Sequence, residues 1–222
     1  MSPASARPAF VTDFVKEIRE ARLLGILRGC PRSGLEAVAE AAVASGLGFL
    51  EVAMNTDGAA DQIRFLQDRL AGNCQVGAGT VLTARQAREA VEAEATFLVS
   101  PCLVPEVQDW ADDHGIPTLP GALTPSEIWK AHRAGAAVVK VFPARSAGGP
   151  SYFRELRGPF RDVPLLACGG VSTENAREYM EAGADVLAFG GSVFTAKRLG
   201  EMDVSGMRDA ILSLHGAAKA GS

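Results

Sequence analysis

Residues 133–142 have the sequence RAGAAVVKVF, in which a helix end passes directly into a short β-branched run. The same order of residue types recurs in ASGLGFLEVA at 44–53 and in EAGADVLAFG at 181–190. In each copy a glycine follows a small residue where the helix ends, a position at which helix caps favour positive φ. The apolar run that follows is typical of a strand buried on both faces. The repeated step from helix to strand therefore predicts parallel β-α units.

Eight short apolar runs of this kind follow one another along the chain, each succeeded by a polar segment with helical spacing. They lie at 23–29, 48–54, 75–81, 96–101, 117–122, 137–143, 164–170 and 185–191. Alternating strands and helices form right-handed units around a parallel sheet, and eight units are the content of a TIM barrel. We predict a single α/β domain, a (β/α)8 TIM barrel with an N-terminal helix, over residues 13–222, preceded by a flexible tail over 1–12. A doubly wound open sheet is the alternative.

Composition and charge narrow the class of partner. The chain of 222 residues is 47% hydrophobic and 22% charged, with a net charge of −4. The acidic balance disfavours nucleic acid and anionic membranes as partners, and no apolar run reaches the length of a membrane span. The cysteines form no CxxC pair, which favours reduced thiols over disulfides or a zinc site. We therefore expect a cytoplasmic protein without a metal.

A lysine and a glutamate occupy matching positions in two of the repeats. Five residues after the capping glycine, the repeat at 44–53 has Glu51 and the repeat at 133–142 has Lys140. Alternate strands of a barrel contribute to one inward layer, so the two side chains can face each other. Burial disfavours a charged amine, and a neutral amine attacks a ketone to form a Schiff base. The interpretation is a catalytic Lys140 with Glu51 as acid and base; a structural ion pair is the alternative.

Glycine pairs end the seventh and eighth apolar runs, in CGGVS at 168–172 and in FGGSVF at 189–194. Backbone without side chains lets a ligand approach closely, and a helix that begins there offers free N–H groups to an anion. Barrels of this type often hold a phosphate at this place, although tight turns without a ligand are the alternative. We name as the phosphate cup the following residues: Gly169, Gly170, Gly191 and Ser192.

Six strings, each in its own barrel unit, carry a resemblance to a known family. They are LEVAMNT (50–56), VGAGTVLT (76–83), VSPCLVPEV (99–107), PGALTPSE (120–127), VVKVFPA (138–144) and CGGVSTEN (168–175). In this order, and over nearly the whole chain, the sequence resembles the 2-keto-3-deoxy-6-phosphogluconate (KDPG) and 4-hydroxy-2-oxoglutarate (KHG) aldolases. These are small class I pyruvate aldolases.

The resemblance implies a carbon–carbon lyase in which Lys140 forms the Schiff base and Glu51 is the acid and base. It implies that Thr80 lies near the pyruvyl carboxylate, that Pro101 and Phe142 wall the pocket, and that the cup holds a phosphate. The substrate would be a small 2-oxo acid, either a 2-keto-3-deoxy-6-phospho-aldonate of gluconate or galactonate type or 4-hydroxy-2-oxoglutarate. The products would be pyruvate and glyceraldehyde 3-phosphate or glyoxylate. No cofactor and a homotrimer are also implied.

Two positions depart from the phosphogluconate pattern. That pattern has an arginine four residues after the catalytic glutamate, where this chain has Asn55, and the chain instead carries Arg28 at the end of the first strand. The combination resembles the 2-keto-3-deoxy-6-phosphogalactonate branch, with Arg28 holding a carboxylate through its planar fork. The second departure is Cys168, where many relatives have Thr. Because a thiol is a weak donor, we expect it to weaken the phosphate cup.

Several alternatives stay open on the sequence alone. The same barrel and cup could serve a sugar-phosphate isomerase or epimerase, although no second acid or base occupies a comparable strand end. A non-catalytic barrel that binds 2-oxo acids is a further alternative. The C4 stereochemistry and the presence of a phosphate on the substrate depend on the shape of the pocket and are not predicted.

Overall fold

The computed structural model describes residues 8–221, within which nine parallel strands form one sheet. The first five apolar runs form β1 (Leu23–Leu27), β2 (Phe49–Ala53), β3 (Gln75–Gly79), β4 (Leu98–Val99), β5 (Thr118–Leu119) and β6 (Gly121–Ala122). The last three form β7 (Val139–Val141), β8 (Leu165–Cys168) and β9 (Val186–Phe189). Every predicted run therefore contains a strand.

Helices follow the strands around the outside of the sheet. They are α1 (Ala9–Ala21), α2 (Leu35–Ser45), α3 (Ala59–Leu70), α4 (Ala84–Glu92), α5 (Pro105–His114), α6 (Pro125–Arg133), α7 (Pro150–Arg157), α8 (Ala176–Glu181), α9 (Ala196–Gly200) and α10 (Val204–Ala220). Local chemistry sets their ends. At α6, for example, Thr124 and Glu127 form a capping box, and Pro125 occupies the first turn. None of the helices within residues 8–221 has the length and apolar character needed to cross a membrane.

The strand order β5-β4-β3-β2-β1-β9-β8-β7-β6 closes into a ring because β5 and β6 are two halves of one barrel strand. Pro120 separates them and, lacking an N–H, interrupts the ladder. Its carbonyl still accepts a hydrogen bond from the Lys140 N–H at 3.0 Å, and the Thr118 carbonyl accepts one from Ala137 at 2.9 Å. The fifth strand thus bonds to neighbours on both sides, and the predicted (β/α)8 barrel is confirmed with this one strand divided.

Two apolar cores hold the barrel. The larger lies between the strands and the helices, and the smaller fills the barrel interior. Phe14 of α1 belongs to the inner core: its ring lies 5.6 Å from that of Phe49 and 5.5 Å from that of Phe97. Since Phe49 begins β2 and Phe97 precedes β4, α1 closes the amino end of the barrel. The opposite end, where the strands finish, remains accessible.

The N-terminal boundary differs from the one expected. Residues 1–7 of the predicted tail lie outside the described residues, but α1 already begins at Ala9, so residues 9–12 are helical. The reason is packing: Val11 is 3% exposed and lies one turn before Phe14 on the face that seals the barrel. The pattern of buried residues at 11, 14 and 18 is that of an amphipathic helix.

Candidate active site

A cavity of about 1150 Å³ opens at the carboxyl ends of the strands. Its wall includes nine of the residues proposed from the sequence: Arg28, Thr80, Pro101, Lys140, Phe142, Gly169, Gly170, Gly191 and Ser192. The other two, Glu51 and Asn55, are not part of that wall: Glu51 is buried inside the barrel, and Asn55 touches the wall through Arg28. This end of a TIM barrel is where catalytic residues are found.

Lys140 and Glu51 both lie inside the barrel, where the charge of Lys140 acts on the Glu51 carboxyl. Lys140 lies in β7 and is 6% exposed, with its Nζ 5.4 Å from the centre of the Phe142 ring, while Glu51 lies in β2 and is 1% exposed. Burial raises the pKa of the Glu51 carboxyl above its ordinary value, and the positive charges of Lys140 and Arg28 oppose this rise. A buried carboxyl with a raised pKa beside a lysine is a typical arrangement for proton transfer.

The Glu51 carboxylate has no hydrogen-bond partner at either oxygen among the described residues. Buried polar groups are almost always paired, so an unpaired carboxylate is a mark of a functional group. Gly79 makes its position possible. A Cβ at residue 79 would lie 2.4 Å from Glu51 Oε1, so any side chain there would displace the carboxylate. Gly79, in the sequence VGAGTV, therefore leaves a space beside β3 that the Glu51 carboxylate occupies.

Arg28 is fixed by two neighbouring strand ends. Its Nη1 donates to Asn55 Oδ1 at 2.7 Å, and its Nη2 donates to Thr80 Oγ1 at 3.0 Å. Thr80 has a φ of 57°, a left-handed conformation that is rare for a β-branched residue and occurs mostly at functional sites. The two hydrogen bonds hold the guanidinium at the cavity wall, where it could bind a carboxylate. The structure shows no ion pair for Arg28 among the described residues.

Cys168 lines the cavity directly before the first glycine pair, and its effect on the phosphate cup stays a prediction. Cys168 ends β8, is 3% exposed and belongs to the apolar interior of the barrel. Burial raises the pKa of its thiol, and the charge of Lys140 opposes that rise.

The phosphate cup differs from the expected arrangement in one respect. The helices α8 and α9 begin at Ala176 and Ala196, several residues beyond the glycine pairs, so no helix begins at the cup itself. Instead the loops supply the donors: the N–H groups of Gly170, Gly191 and Ser192 have no acceptor among the described residues. Successive free backbone N–H groups in loops form concave anion-binding surfaces. These loop N–H groups could therefore receive an anion in place of a helix N-terminus, and the binding of a phosphate there stays a prediction.

Two charged residues on the cavity wall were missed by the sequence interpretation. Arg145 follows β7 and lies against Gly170, and Glu174 follows β8 and accepts a hydrogen bond from the Thr173 hydroxyl at 2.9 Å. Both lie in loops, where neither helical nor strand periodicity indicates which way a side chain points. The signal that was available for Arg145 is its place two residues after Pro143, at the carboxyl end of a barrel strand.

Comparisons with known proteins agree with this geometry. The model of the KDPG and KHG aldolase family matches residues 15–209. A 2-dehydro-3-deoxy-phosphogluconate aldolase of Pseudomonas aeruginosa is 36% identical over 174 residues, which are 78% of each chain. A probable 2-dehydro-3-deoxy-6-phosphogalactonate aldolase of Rhizobium meliloti is 34% identical over 79% of this chain and 82% of its own.

A solved structure is similar as well. The KDPG aldolase of Legionella pneumophila, determined with pyruvate captured at low pH as a covalent carbinolamine intermediate, superposes with a TM-score of 0.82. It is 25% identical, and the match covers 90% of this chain and 96% of that one. The resemblance expected from the six strings is thereby confirmed. The chain belongs to the KDPG and KHG aldolase family and is a carbon–carbon lyase.

Proposed function

We propose that this chain is a class I aldolase that reversibly cleaves a 2-oxo acid to pyruvate and an aldehyde through a Schiff base on Lys140. The substrate is a 2-keto-3-deoxy-6-phospho-aldonate of gluconate or galactonate type, or 4-hydroxy-2-oxoglutarate. The observation that carries the proposal is a buried amine and a buried carboxyl in the same barrel interior, the carboxyl having no hydrogen-bond partner among residues 8–221. Relatives named for these substrates, and a neighbour with pyruvate bound covalently, support it.

The reaction begins when Lys140 Nζ attacks the C2 carbonyl of the substrate. The resulting carbinolamine loses water to give a protonated imine, with Glu51 transferring the protons. The Glu51 carboxylate then accepts the C4 hydroxyl proton, directly or through water, and the C3–C4 bond breaks. The electron pair of that bond moves into the imine to form an enamine, and the aldehyde leaves. Protonation at C3 and hydrolysis of the imine release pyruvate and the free amine.

The remaining site residues orient the substrate. Arg28, held by Asn55 and Thr80, binds the C1 carboxylate with its planar fork. Pro101 and Phe142 form apolar walls beside the pyruvyl group. The free N–H groups of the phosphate cup bind the distal phosphate of the longer substrates.

The test is borohydride reduction in the presence of pyruvate, followed by peptide mass mapping. We expect a reduced pyruvyl adduct on the peptide that contains Lys140, and no adduct in Lys140→Met. Absence of an adduct in folded wild-type protein would contradict the Schiff-base mechanism. An adduct without cleavage of any 2-oxo acid offered would favour the non-catalytic binding barrel.

We also propose a homotrimer in the cytoplasm. The trimer rests on the resemblance to the family, and the location rests on four cysteines of which none is paired in a disulfide. Light scattering during gel filtration checks the first, with an expected mass three times that of the 23.2 kDa chain. Cell fractionation checks the second, with the protein expected in the fraction that contains cytoplasmic enzymes.

A further inference from the structure

Arg145 is an unpaired cation on the wall of the active-site cavity. Its guanidinium has no hydrogen bond or ion pair with any described residue. The titratable group on which its charge acts is the Tyr179 hydroxyl, whose pKa is raised by burial and lowered by Arg145. A tyrosine hydroxyl is neutral near pH 7, so it does not neutralise the arginine.

The position of Arg145 is defined by its contacts with the loop that carries the first glycine pair. Its N–H donates to the Gly169 carbonyl at 3.0 Å, which fixes its backbone beside the cup. Its side chain lies across Gly170: a Cβ at residue 170 would be 2.6 Å from Arg145 Cβ and 2.7 Å from Arg145 Cδ. Gly170, with a φ of 84°, thus exposes its backbone to the cavity next to the arginine stem.

The other cationic side chains near the cavity already contact neighbouring residues. Arg28 is bonded to Asn55 and Thr80, and Lys140 lies inside the barrel next to Cys168. Arg198 donates to the carbonyls of Ser192 and Val193 at 3.3 Å and 3.1 Å, which holds the second glycine loop. Arg145 is therefore the cation of this group that can turn to a ligand without breaking a contact.

We propose that Arg145 is a specificity-determining residue that binds the distal phosphate of the substrate, so that this aldolase prefers phosphorylated 2-oxo acids over unphosphorylated ones. The inference rests on the proposed function and deepens it. The free N–H groups of Gly170, Gly191 and Ser192 supply neutral donors, and Arg145 adds the charge that distinguishes a phosphate dianion from a hydroxyl.

The test compares kcat/KM for a 2-keto-3-deoxy-6-phospho-aldonate and for the same compound without phosphate, in wild type, R145Q, R145K and R154Q. Arg154 is an exposed arginine of α7 outside the cavity, so R154Q is the charge-matched control. For R145Q we expect a loss of about 10- to 100-fold on the phosphorylated substrate, the effect of a charge-assisted hydrogen bond, and a change of less than about twofold on the other. R145K should restore part of the loss, and R154Q should change neither value.

Two further measurements separate the outcomes. Exchange of the pyruvate methyl hydrogens with solvent needs Lys140 and Glu51 but no distal group; if wild type lacks it, the proposed function fails, whatever Arg145 does. If exchange is intact and R145Q loses both substrates equally, or neither, the role of Arg145 is wrong. Inorganic phosphate is the last probe: we expect competitive inhibition that weakens in R145Q. Weaker inhibition with unchanged turnover of the phosphorylated substrate would make Arg145 a site for free phosphate and overturn the proposal.

Discussion

At the scale of single residues, the burial of Glu51 changes both the pKa of its carboxyl and the pH dependence of protein stability. Desolvation raises the pKa of its carboxyl more strongly than Lys140 and Arg28 lower it. The folded-state pKa therefore lies above the unfolded value of about 4.3. A group of this kind contributes stability below the unfolded pKa and loses that contribution as the pH rises through the folded pKa. The Glu51 carboxyl therefore contributes least to stability at the pH where it is ionised, which is the form that the proposed reaction needs.

Glu51→Gln tests this statement. We expect kcat to fall about 10²- to 10⁴-fold, because proton transfer is lost. The melting temperature of E51Q minus that of wild type should increase as the pH is raised from 4 to 8, since the variant has no carboxyl to ionise. Melting curves at several pH values measure this difference. Glu89→Gln, at an exposed position of α4, should show no such trend, and a flat difference in E51Q as well would contradict the burial argument.

The cysteines give a second prediction at this scale. Cys102 is exposed, whereas burial raises the pKa of Cys30 to about 11 and that of Cys74 to about 12. Because the thiolate is the reactive form, we expect iodoacetamide at pH 7.5 to label Cys102 about 100-fold faster than these two. Time-resolved peptide mapping measures the rates, and Cys102→Ser should remove the fast phase. Fast labelling of Cys74 in the folded protein would be inconsistent with this structure.

At the scale of elements, the pairing of β2 with β3 creates the space for the Glu51 carboxylate. Gly77 lies opposite Glu51 in the ladder and Gly79 opposite Ala53, so β3 presents little bulk to the barrel interior. The apolar content of a strand does not reveal that its glycines leave such space in the barrel interior. Gly79 matters because the space beside it holds the Glu51 carboxylate.

Gly79→Ala follows from that pairing. The added Cβ would lie 2.4 Å from Glu51 Oε1, and we expect a loss of about 1–3 kcal/mol in the free energy of unfolding from overpacking, with a marked fall in kcat. Urea denaturation and steady-state kinetics measure the two effects. Gly200→Ala is the control, since nothing lies within 4 Å of a Cβ there. Normal activity in G79A would show that the carboxylate can move without consequence.

The elements themselves were largely predictable, and particular side chains were not. The helix-to-strand repeat located each strand because glycine caps and β-branched runs are local signals. The matching position of Glu51 and Lys140 in two repeats placed both of them in the barrel interior. Pro120 divides the fifth strand, which the apolar run at 117–122 did not reveal. Arg145 was missed because the direction of a loop side chain depends on contacts made across the fold.

At the scale of the whole molecule, α1 seals the barrel opposite the active site. Arg19 of α1 donates to Asp185 Oδ1 at 2.6 Å, and the other oxygen of Asp185 binds Arg157 at 2.6 Å and the Leu165 N–H at 2.8 Å. The helix is thus tied to the sheet by charge as well as by the ring of Phe14. Its contribution to stability should be separable from catalysis, because no residue of α1 reaches the cavity.

Phe14→Ala tests this separation. Removing a ring that is 4% exposed should lower the free energy of unfolding by about 3–5 kcal/mol, because a cavity remains between Phe49 and Phe97. The folded protein should still form the pyruvyl adduct on Lys140. Urea denaturation measures the first quantity and borohydride trapping the second, with Lys16→Ala on the exposed face of α1 as control. A stability equal to wild type would contradict the role of the helix.

The seal also sets an order of events. With the amino end filled, both fragments of the substrate use the mouth at the carboxyl ends of the strands. In the proposed reaction, the fragment bonded to Lys140 would lie at depth, and the other fragment would lie above it beside Arg145 and the glycine loops. Because the cavity is closed at its inner end, the last fragment to enter must be the first to leave. Cleavage should therefore release the aldehyde before pyruvate, and synthesis should admit pyruvate before the aldehyde.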